Sequence, residues 1–195
     1  MAALVQTVAP AAEPVLATEQ LIFARIDDPI ETNLVTDLLV AAREMVEELT
    51  HLQCIAATYE QYLDEFPPVI LLRKSPVSTV SSVTYTDSDG AVQTLATTEY
   101  QYDLNAWPAR VMPAYGKSWP TSRAQLNSVK VSFVAGFGAS GASVPQRVRQ
   151  AIRLLAAHWF ENREETMETD LKIIPHGVRA LLNTSKVGRV TYEGR

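Results

Sequence analysis

The sequence is poor in cysteine, in long apolar runs and in positive charge, and each shortage excludes a class of protein. Cys54 is the single cysteine among 195 residues, so the chain has no internal disulfide framework. It contains no Cys-x-x-Cys pair or Cys/His cluster that would indicate a zinc site. No apolar stretch approaches the roughly 20 residues of a membrane span. We therefore expect a soluble, intracellular, globular protein with no metal, no cofactor and no membrane partner.

The net charge is −5, which argues against a protein that holds nucleic acid through phosphate contacts. Residues 25–75 contain four basic and ten acidic residues, whereas residues 144–195 contain nine basic and six acidic residues. An acidic front half and a basic tail attract each other, either within one molecule or between neighbouring copies. Ordinary solvated surfaces explain the same distribution equally well.

Helical periodicity is strongest near the two ends of the chain. Between Ile30 and Leu52 apolar residues recur every three or four positions, which predicts an amphipathic helix. Pro145 is well placed in the first turn of a second long helix, and Pro175 opens a short third one. The predicted inward residues of the first helix are Leu34, Leu38, Ala41 or Ala42, Met45, Leu49 and Leu52. Those of the second and third are Val148, Ile152, Leu155 and Trp159, then Val178, Leu181 and Leu182.

The middle of the chain is typical of short antiparallel strands. Val129, Val131 and Phe133 alternate with polar residues, so one face of that strand is expected to be buried and the other wet. Residues 87–90 read Asp-Ser-Asp-Gly, a sequence that favours a tight turn because Asp and Gly tolerate positive φ angles.

These patterns predict an α+β fold: a small helical bundle with long N-terminal and C-terminal helices and an inserted antiparallel β-sheet region. The expected map has a flexible N-terminal arm over residues 1–17, a single domain over 18–183 and an extended tail over 184–195. Within the domain, helices are expected over 18–52 and 145–183, with the β insert over 53–135.

The segment Gly136–Gly141 matches the Gly-x-Gly-x-x-Gly fingerprint of dinucleotide-binding proteins. The strand before it has two different faces, whereas the first strand of a dinucleotide-binding sheet is buried on both. A flexible connection between strand and helix explains the glycines better. No Gly-x-Ser-x-Gly motif and no paired histidines are present, so we assign no catalytic residue and expect no enzyme.

Several segments, in their order and spacing, resemble the head-tail connector (head-completion adaptor) family of tailed bacteriophages, prophages and gene transfer agents. The resemblance runs from about Thr18 to Val187. The segments that carry it are Ala41–Glu47, Pro76–Tyr85, Pro113–Pro120, Val134–Gly138, Val144–Glu164 and Pro175–Val178 with Leu181 and Leu182.

The resemblance implies a non-enzymatic virion structural protein. Such adaptors form a homo-oligomeric ring of about twelve copies beneath the portal protein, through head-to-tail contacts. The ring extends the DNA channel, lets DNA pass without sequence-specific binding, and presents a docking surface to a stopper or tail-terminator protein. The implied location is the neck of a virion or virion-like particle assembled in the bacterial cytoplasm.

On this basis the candidates for lining or bordering the channel lumen are Asp37, Glu44, Glu47 and Glu48. An acidic wall would repel DNA phosphates rather than grip them. The candidates for docking onto the portal are Lys186, Arg189 and Arg195, in the basic tail.

The candidates for contact with a neighbouring subunit or the tail side are Asp87, Asp89, Tyr115 and Trp119. Tyr115 and Trp119 are equally well explained as packing residues. Three alternatives to the adaptor stay open. One is a nucleotide-binding enzyme that uses the Gly136–Gly141 loop, which requires a parallel sheet. Another is a different neck ring such as a stopper or tail terminator, and the third is a free-standing regulatory or scaffolding domain.

Overall fold

The computed structural model describes residues 3–26, 29–162 and 175–183, and their contacts divide the chain into two compact units. In the described part, the β unit comprises residues 3–11 and 56–137. The helical unit comprises residues 12–26, 29–55, 138–162 and 175–183.

The described part of the β unit contains eight strands. They are β1 (Ala3–Val8), β2 (Ala57–Leu63), β3 (Ile70–Leu71), β4 (Val77–Thr86), β5 (Val92–Thr94), β6 (Tyr100–Asp103), β7 (Arg110–Pro113) and β8 (Val129–Ala135). Five form a sheet in the order β1-β2-β8-β4-β5, and three form a second sheet in the order β3-β7-β6. Every pairing between these strands is antiparallel.

Strand β8 occupies the centre of the larger sheet and shows why these residues form strands. Its residues alternate strictly between buried and half-buried, which confirms the alternation read from the sequence. It pairs with β2 from Ala57–Ala135 to Leu63–Val129 and with β4 on its other side. The Phe133 ring stacks on the Tyr59 ring of β2 at a centroid distance of 5.9 Å. The buried face of the sheet is therefore continuous across its central strands.

The predicted flexible N-terminal arm is wrong for residues 3–8, which form β1. Ala3 pairs with Tyr62 and Val8 with Thr58, and the Thr7 hydroxyl donates to the Thr58 carbonyl oxygen at 3.3 Å. The prolines that suggested an arm, Pro10 and Pro14, follow the strand and do not interrupt it. A partner more than fifty residues away supplies the order that the local sequence does not indicate.

The described part of the helical unit contains four α-helices: α1 (Ala17–Ala24), α2 (Thr32–Thr50), α3 (Gln146–Glu161) and α4 (His176–Asn183). Short 3-10 turns at Pro29–Glu31 and Gly141–Ser143 precede α2 and α3. Arg25 and His51 adopt left-handed conformations, with φ of 55° and 57°, directly after α1 and α2. Because a left-handed residue cannot continue a right-handed helix, these two residues end the helices.

The predicted fold class is therefore wrong in its architecture, although the α+β mixture and the antiparallel pairing are present. The described helices have 8, 19, 16 and 8 residues and do not form a bundle of long terminal helices. The left-handed Arg25 and the turn at Pro29–Glu31 divide the front helical region. The strands form two sheets with a hydrophobic core of their own, so the β region is more than an insert in a bundle.

Candidate interaction surfaces

Helix α2 has two apolar faces, and the face predicted to be buried is for the most part the more exposed one. The buried face consists of Val35, Leu39, Ala42, Val46 and Thr50. Of the residues predicted to point inward, Ala42 and Leu52 are buried, and the others form a second row one position earlier, which we call the outer apolar row: Leu34, Leu38, Ala41, Met45 and Leu49. Leu34 and Leu49 are each 37% exposed, and Ala41 is exposed. The spacing of this row is helical, so its members line one side of α2.

A buried charged network explains the shift of one residue. Arg43 Nη1 lies 3.0 Å from Glu47 Oε2, and Arg43 Nε donates to Glu13 Oε2 at 2.8 Å. Glu47 Oε1 accepts hydrogen bonds from Gln53 Nε2 at 3.0 Å and from the Cys54 N–H at 2.8 Å. Arg43 and Glu47 are only 7% and 5% exposed. Turning both side chains inward rotates the neighbouring Leu34–Leu49 row outward.

The network also sets the ionisation of its arginine. Burial alone would lower the pKa of Arg43, but the hydrogen bond to Glu13 and the charge of Glu47 outweigh burial and raise that pKa above its usual value. Arg43 therefore remains charged, and the three side chains connect α2 to the segments before α1 and after α2.

Three of the four lumen candidates lie on the surface of α2. Asp37, Glu44 and Glu48 are exposed, and their spacing of seven and four residues places them in one line, which we call the acidic row. Glu47 lies inside the unit with its carboxylate oxygens occupied by Arg43, Gln53 and Cys54. This position removes Glu47 from the candidate lumen surface.

Charges elsewhere in the helical unit are divided between paired and unpaired groups. Glu19 Oε2 on α1 accepts from Arg149 at 2.9 Å and from Arg153 at 2.6 Å on α3. The hydrogen bond from Arg153 is the main reason that the pKa of Glu19 lies below its ordinary value. By contrast, the side chains of Arg25, Arg147 and Arg179 have no partner among the residues that the structure describes.

The two aspartates of the predicted turn have different environments. Asp87 Oδ1 accepts from the N–H groups of Asp89 and Ala91, and Oδ2 accepts from Gln93 Nε2 at 2.8 Å. The Gln93 bond, followed by the Ala91 bond, lowers the pKa of Asp87. Asp87 is therefore occupied in holding the turn, whereas Asp89 is exposed.

Tyr115 and Trp119 also differ. Trp119 stacks on Phe66 at a centroid distance of 4.7 Å, and its indole N–H donates to the Pro67 carbonyl oxygen at 2.7 Å. It is a packing residue of the β unit. Tyr115 is fully exposed at a tight turn, in which Gly116 has a φ of 74° and the Lys117 N–H donates to Ala114. These contacts do not bring Tyr115 and Trp119 together into one surface patch.

The glycine-rich loop is explained by close contacts within the protein. Gly136 donates its N–H to the Pro76 carbonyl oxygen at 2.8 Å with a φ of 139°. A Cβ on Gly141 would lie 2.5 Å from the Pro14 carbonyl oxygen, so a larger residue does not fit there. The preceding strand β8 belongs to an antiparallel sheet, whereas the dinucleotide interpretation requires a parallel one.

Other site classes can be addressed for the described part of the chain. No group of three His, Cys, Asp or Glu side chains within residues 3–26, 29–162 and 175–183 is arranged to hold a metal ion. None of the helices seen there is both long and apolar enough to cross a membrane. The portal-docking candidates Lys186, Arg189 and Arg195 lie outside the described residues.

The chain resembles solved components of gene transfer agent (GTA) particles over almost its whole length. A chain of the virion of a native GTA particle is 25% identical, with a TM-score of 0.78 and 96% of each chain covered. A chain of the neck of an empty GTA particle, computed with C6 symmetry, is 25% identical, with a TM-score of 0.80 and 99% of each chain covered. A chain of the neck of a native GTA particle, computed with C12 symmetry, is 26% identical, with a TM-score of 0.74 and 99% coverage.

No protein-family model matches the chain, and no curated protein matches its sequence. The chain is similar to GTA neck components. This likeness supports the sequence-based expectation of a structural neck component of a GTA or phage particle, at that level of detail. The neck neighbours were computed with sixfold and twelvefold symmetry, which also supports a homo-oligomeric ring.

The exposure of the outer apolar row was not predicted from the sequence. A signal was present in the sequence, because α2 carries adjacent apolar pairs instead of single apolar residues. Those pairs are Leu34-Val35, Leu38-Leu39, Ala41-Ala42 and Met45-Val46. An apolar arc this wide exceeds the single stripe of a surface helix, so part of it remains exposed.

Proposed function

We propose that this chain is a structural ring subunit in the neck of a GTA or phage-like particle. The observation that carries the proposal is the similarity to neck chains along the whole sequence, with 25–26% identity and 99% of each chain covered. Two chains that align over a whole fold are more similar in their packing surfaces than two chains that share only a short motif. The protein acts through its shape and its contacts with copies of itself, and not through covalent chemistry.

Within the neck we propose the adaptor position, directly beneath the portal. Support comes from the ordered segments that resemble head-completion adaptors, including Pro76–Tyr85 and Val144–Glu164. Further support comes from the surface of α2, which presents an apolar row and an acidic row side by side. In this position the ring extends the DNA channel and provides the docking surface for a stopper or tail-terminator protein.

The acidic row is proposed to line or border the channel. Asp37, Glu44 and Glu48 are exposed and aligned, and Asp37 and Glu48 have no partner among the described residues. DNA carries one negative charge per about 1.7 Å of helix axis, so a ring of such rows repels the duplex and keeps it from binding the wall. The duplex then slides through without sequence-specific contacts.

Two other surfaces are proposed for contacts outside the channel. The basic residues Lys186, Arg189 and Arg195 dock onto the portal, as the positive charge of the C-terminal segment suggests. Asp89 and the fully exposed Tyr115 contact a neighbouring subunit or the tail side. Tyr115 suits such a contact, since tyrosine buries a large area with little loss of side-chain freedom.

The test is removal of this chain from cells that produce the particles. We expect DNA-filled heads without tails, and restoration of complete particles when the wild-type chain is supplied. A reconstruction of the neck of restored particles should then show a ring of this chain in contact with the portal. Complete, infectious or DNA-transferring particles made without the chain would contradict the neck proposal. A ring found lower in the neck would instead identify a stopper or tail terminator.

The same reconstruction tests the finer assignments. The acidic row should lie at or beside the channel, and its location on the outer rim would contradict the lumen proposal. A chain that lacks residues 184–195 should fold normally, with an unchanged urea midpoint, and fail to join filled heads. Normal joining by that truncated chain would overturn portal docking through the tail.

A further inference from the structure

The outer apolar row is a long, partly exposed strip on the surface of α2. From Leu34 to Leu49 it extends over roughly 22 Å of helix axis, at 1.5 Å per residue. Leu34, Ala41 and Leu49 are exposed, and Leu38 and Met45 are half-buried. Large contiguous apolar strips on soluble proteins mark sites of protein contact.

A second apolar surface of the same unit is concave. A cleft of about 500 Å³ is formed by the end of α1, the C-terminal half of α3 and the start of α4. Its apolar lining includes Phe23, Leu154, Ala157 and Val178. The neighbouring Ile22 is 81% exposed, which extends the apolar surface beyond the cleft.

The unpaired charges around the two surfaces are opposite in sign. Beside the row, Asp37 and Glu48 are exposed acids without partners among the described residues. At the cleft, Arg25 belongs to the lining, and Arg147 lies on the same face of α3 as Leu154, seven residues earlier. Among the described residues that line the cleft, Glu161 is the one acid. The balance favours attraction between row and cleft and repulsion between two copies of the row.

The row and the cleft are different surfaces, since no residue of α2 lines the cleft. Contact between two different surfaces of identical chains is head-to-tail, and such contacts generate rings when the rotation closes. We propose that the outer apolar row of one copy packs into the α1/α3/α4 cleft of the next copy. The inference rests on the proposed ring and identifies its subunit interface. The acidic row lies at the rim of this contact, where it borders the channel and faces the arginines of the neighbour.

Cysteine cross-linking in purified particles tests the proposal. Cys54 is fully buried, so the wild-type chain is the control for a silent thiol. The variants are Leu38→Cys in the row, Ala157→Cys in the cleft, and the two combined. With a short bismaleimide we expect a ladder of multimers from the double variant and monomers from each single variant. The matched control is Thr36→Cys with Ala157→Cys, because Thr36 is exposed on the side of α2 opposite the row; it should give no ladder.

Each other result has a definite meaning. Dimers from Leu38→Cys alone would show that rows meet each other, which overturns the head-to-tail contact. Monomers from the double variant in particles whose necks contain the chain would also overturn it, while the proposed function survives. Absence of the wild-type chain from the neck would defeat the proposed function itself, and the two failures are therefore distinguishable.

A second variant pair tests the row without added thiols. Leu38→Glu places a charge in the row, and Asn33→Glu adds the same charge to α2 outside it. We expect Leu38→Glu to reduce incorporation into particles at least tenfold while the variant still folds, which a cooperative urea transition would show; its midpoint should lie below that of Asn33→Glu because Leu38 is half-buried. Equal incorporation of the two variants would contradict the proposal.

Discussion

The two units of the protein solve the problem of burial differently. The core of the β unit is built from apolar side chains, and the polar groups buried there are neutral ones such as Gln61. Of the residues described, the two buried charged side chains, Arg43 and Glu47, both belong to the helical unit. The β unit therefore depends on filled volume, whereas the helical unit depends in addition on matched charges. Those charges also determine which face of α2 points inward.

The largest expected effect is loss of volume in the β unit. Phe133 is fully buried in the central strand and stacks on Tyr59. Replacement Phe133→Ala removes a ring and leaves a cavity, so we expect the free energy of unfolding to fall by about 4 kcal/mol. The measurement is urea denaturation followed by circular dichroism. The control Phe133→Leu keeps most of the volume and should cost less than half as much; equal losses would show that volume does not decide stability there.

A smaller but still large effect is expected from charge removal in the helical unit. Replacement Glu47→Ala removes the buried one of the two close carboxylate acceptors of Arg43 and also removes the acceptor of the Cys54 N–H. We expect the free energy of unfolding to fall by about 3 kcal/mol in the same denaturation assay.

The neighbouring acid provides the matched control for this prediction. Glu48 is exposed on the same helix, so Glu48→Ala should change stability by no more than about 0.5 kcal/mol. If the two variants were equally stable, the buried network would contribute nothing, and the proposed reason for the orientation of α2 would fail.

The smallest effect concerns charges at the surface of the β unit. Glu60 accepts hydrogen bonds from the Tyr62 hydroxyl at 2.6 Å and from Lys130 Nζ at 2.9 Å. The Tyr62 bond, followed by the Lys130 bond, lowers the pKa of Glu60 below its ordinary value of 4.5. A lowered folded-state pKa contributes stability that is complete above the ordinary value and is lost as the pH falls through the folded-state pKa.

Replacement Glu60→Gln should therefore lower the free energy of unfolding near neutral pH by less than about 1 kcal/mol. The measurement is the urea midpoint, which should fall accordingly. The difference from the wild-type chain should shrink as the pH falls below 4.5. A difference that stayed constant in acid would mean that the interaction does not depend on the Glu60 charge.

Local patterns in the sequence were sufficient where burial follows a simple period. The alternation of β8 and the inward positions of Val148, Ile152 and Leu155 in α3 are found in the structure. The predicted helix over residues 30–52 corresponds to α2, but its inward face is shifted by one residue. The shift was not predictable from hydrophobicity, because arginine and glutamate are normally expected at the surface. Only the contacts with Glu13 and Gln53 explain why Arg43 and Glu47 are buried.

Long-range pairing accounts for most of the other differences. The strand β1 looks like an arm because its partner β2 begins fifty residues later. Trp119 was ambiguous between contact and packing because its partners, Phe66 and Pro67, are also about fifty residues away. The exposure of Asp37 and Glu48 was easier to predict, because a side chain that remains in water needs no partner.

The position of β8 in the larger sheet has a consequence for synthesis on the ribosome. β8 joins the pair β1-β2 to the pair β4-β5, yet it is the last of the five strands to be translated. At elongation rates of about 5–20 residues per second, synthesis of β8 begins roughly 3 to 13 seconds after β2 is complete. Until β8 is made, the edges of β2 and β4 that it covers have no partner in this sheet, and open strand edges are surfaces prone to aggregation. The two outer pairs of the larger sheet can therefore be joined only after one seven-residue strand, β8, has been made.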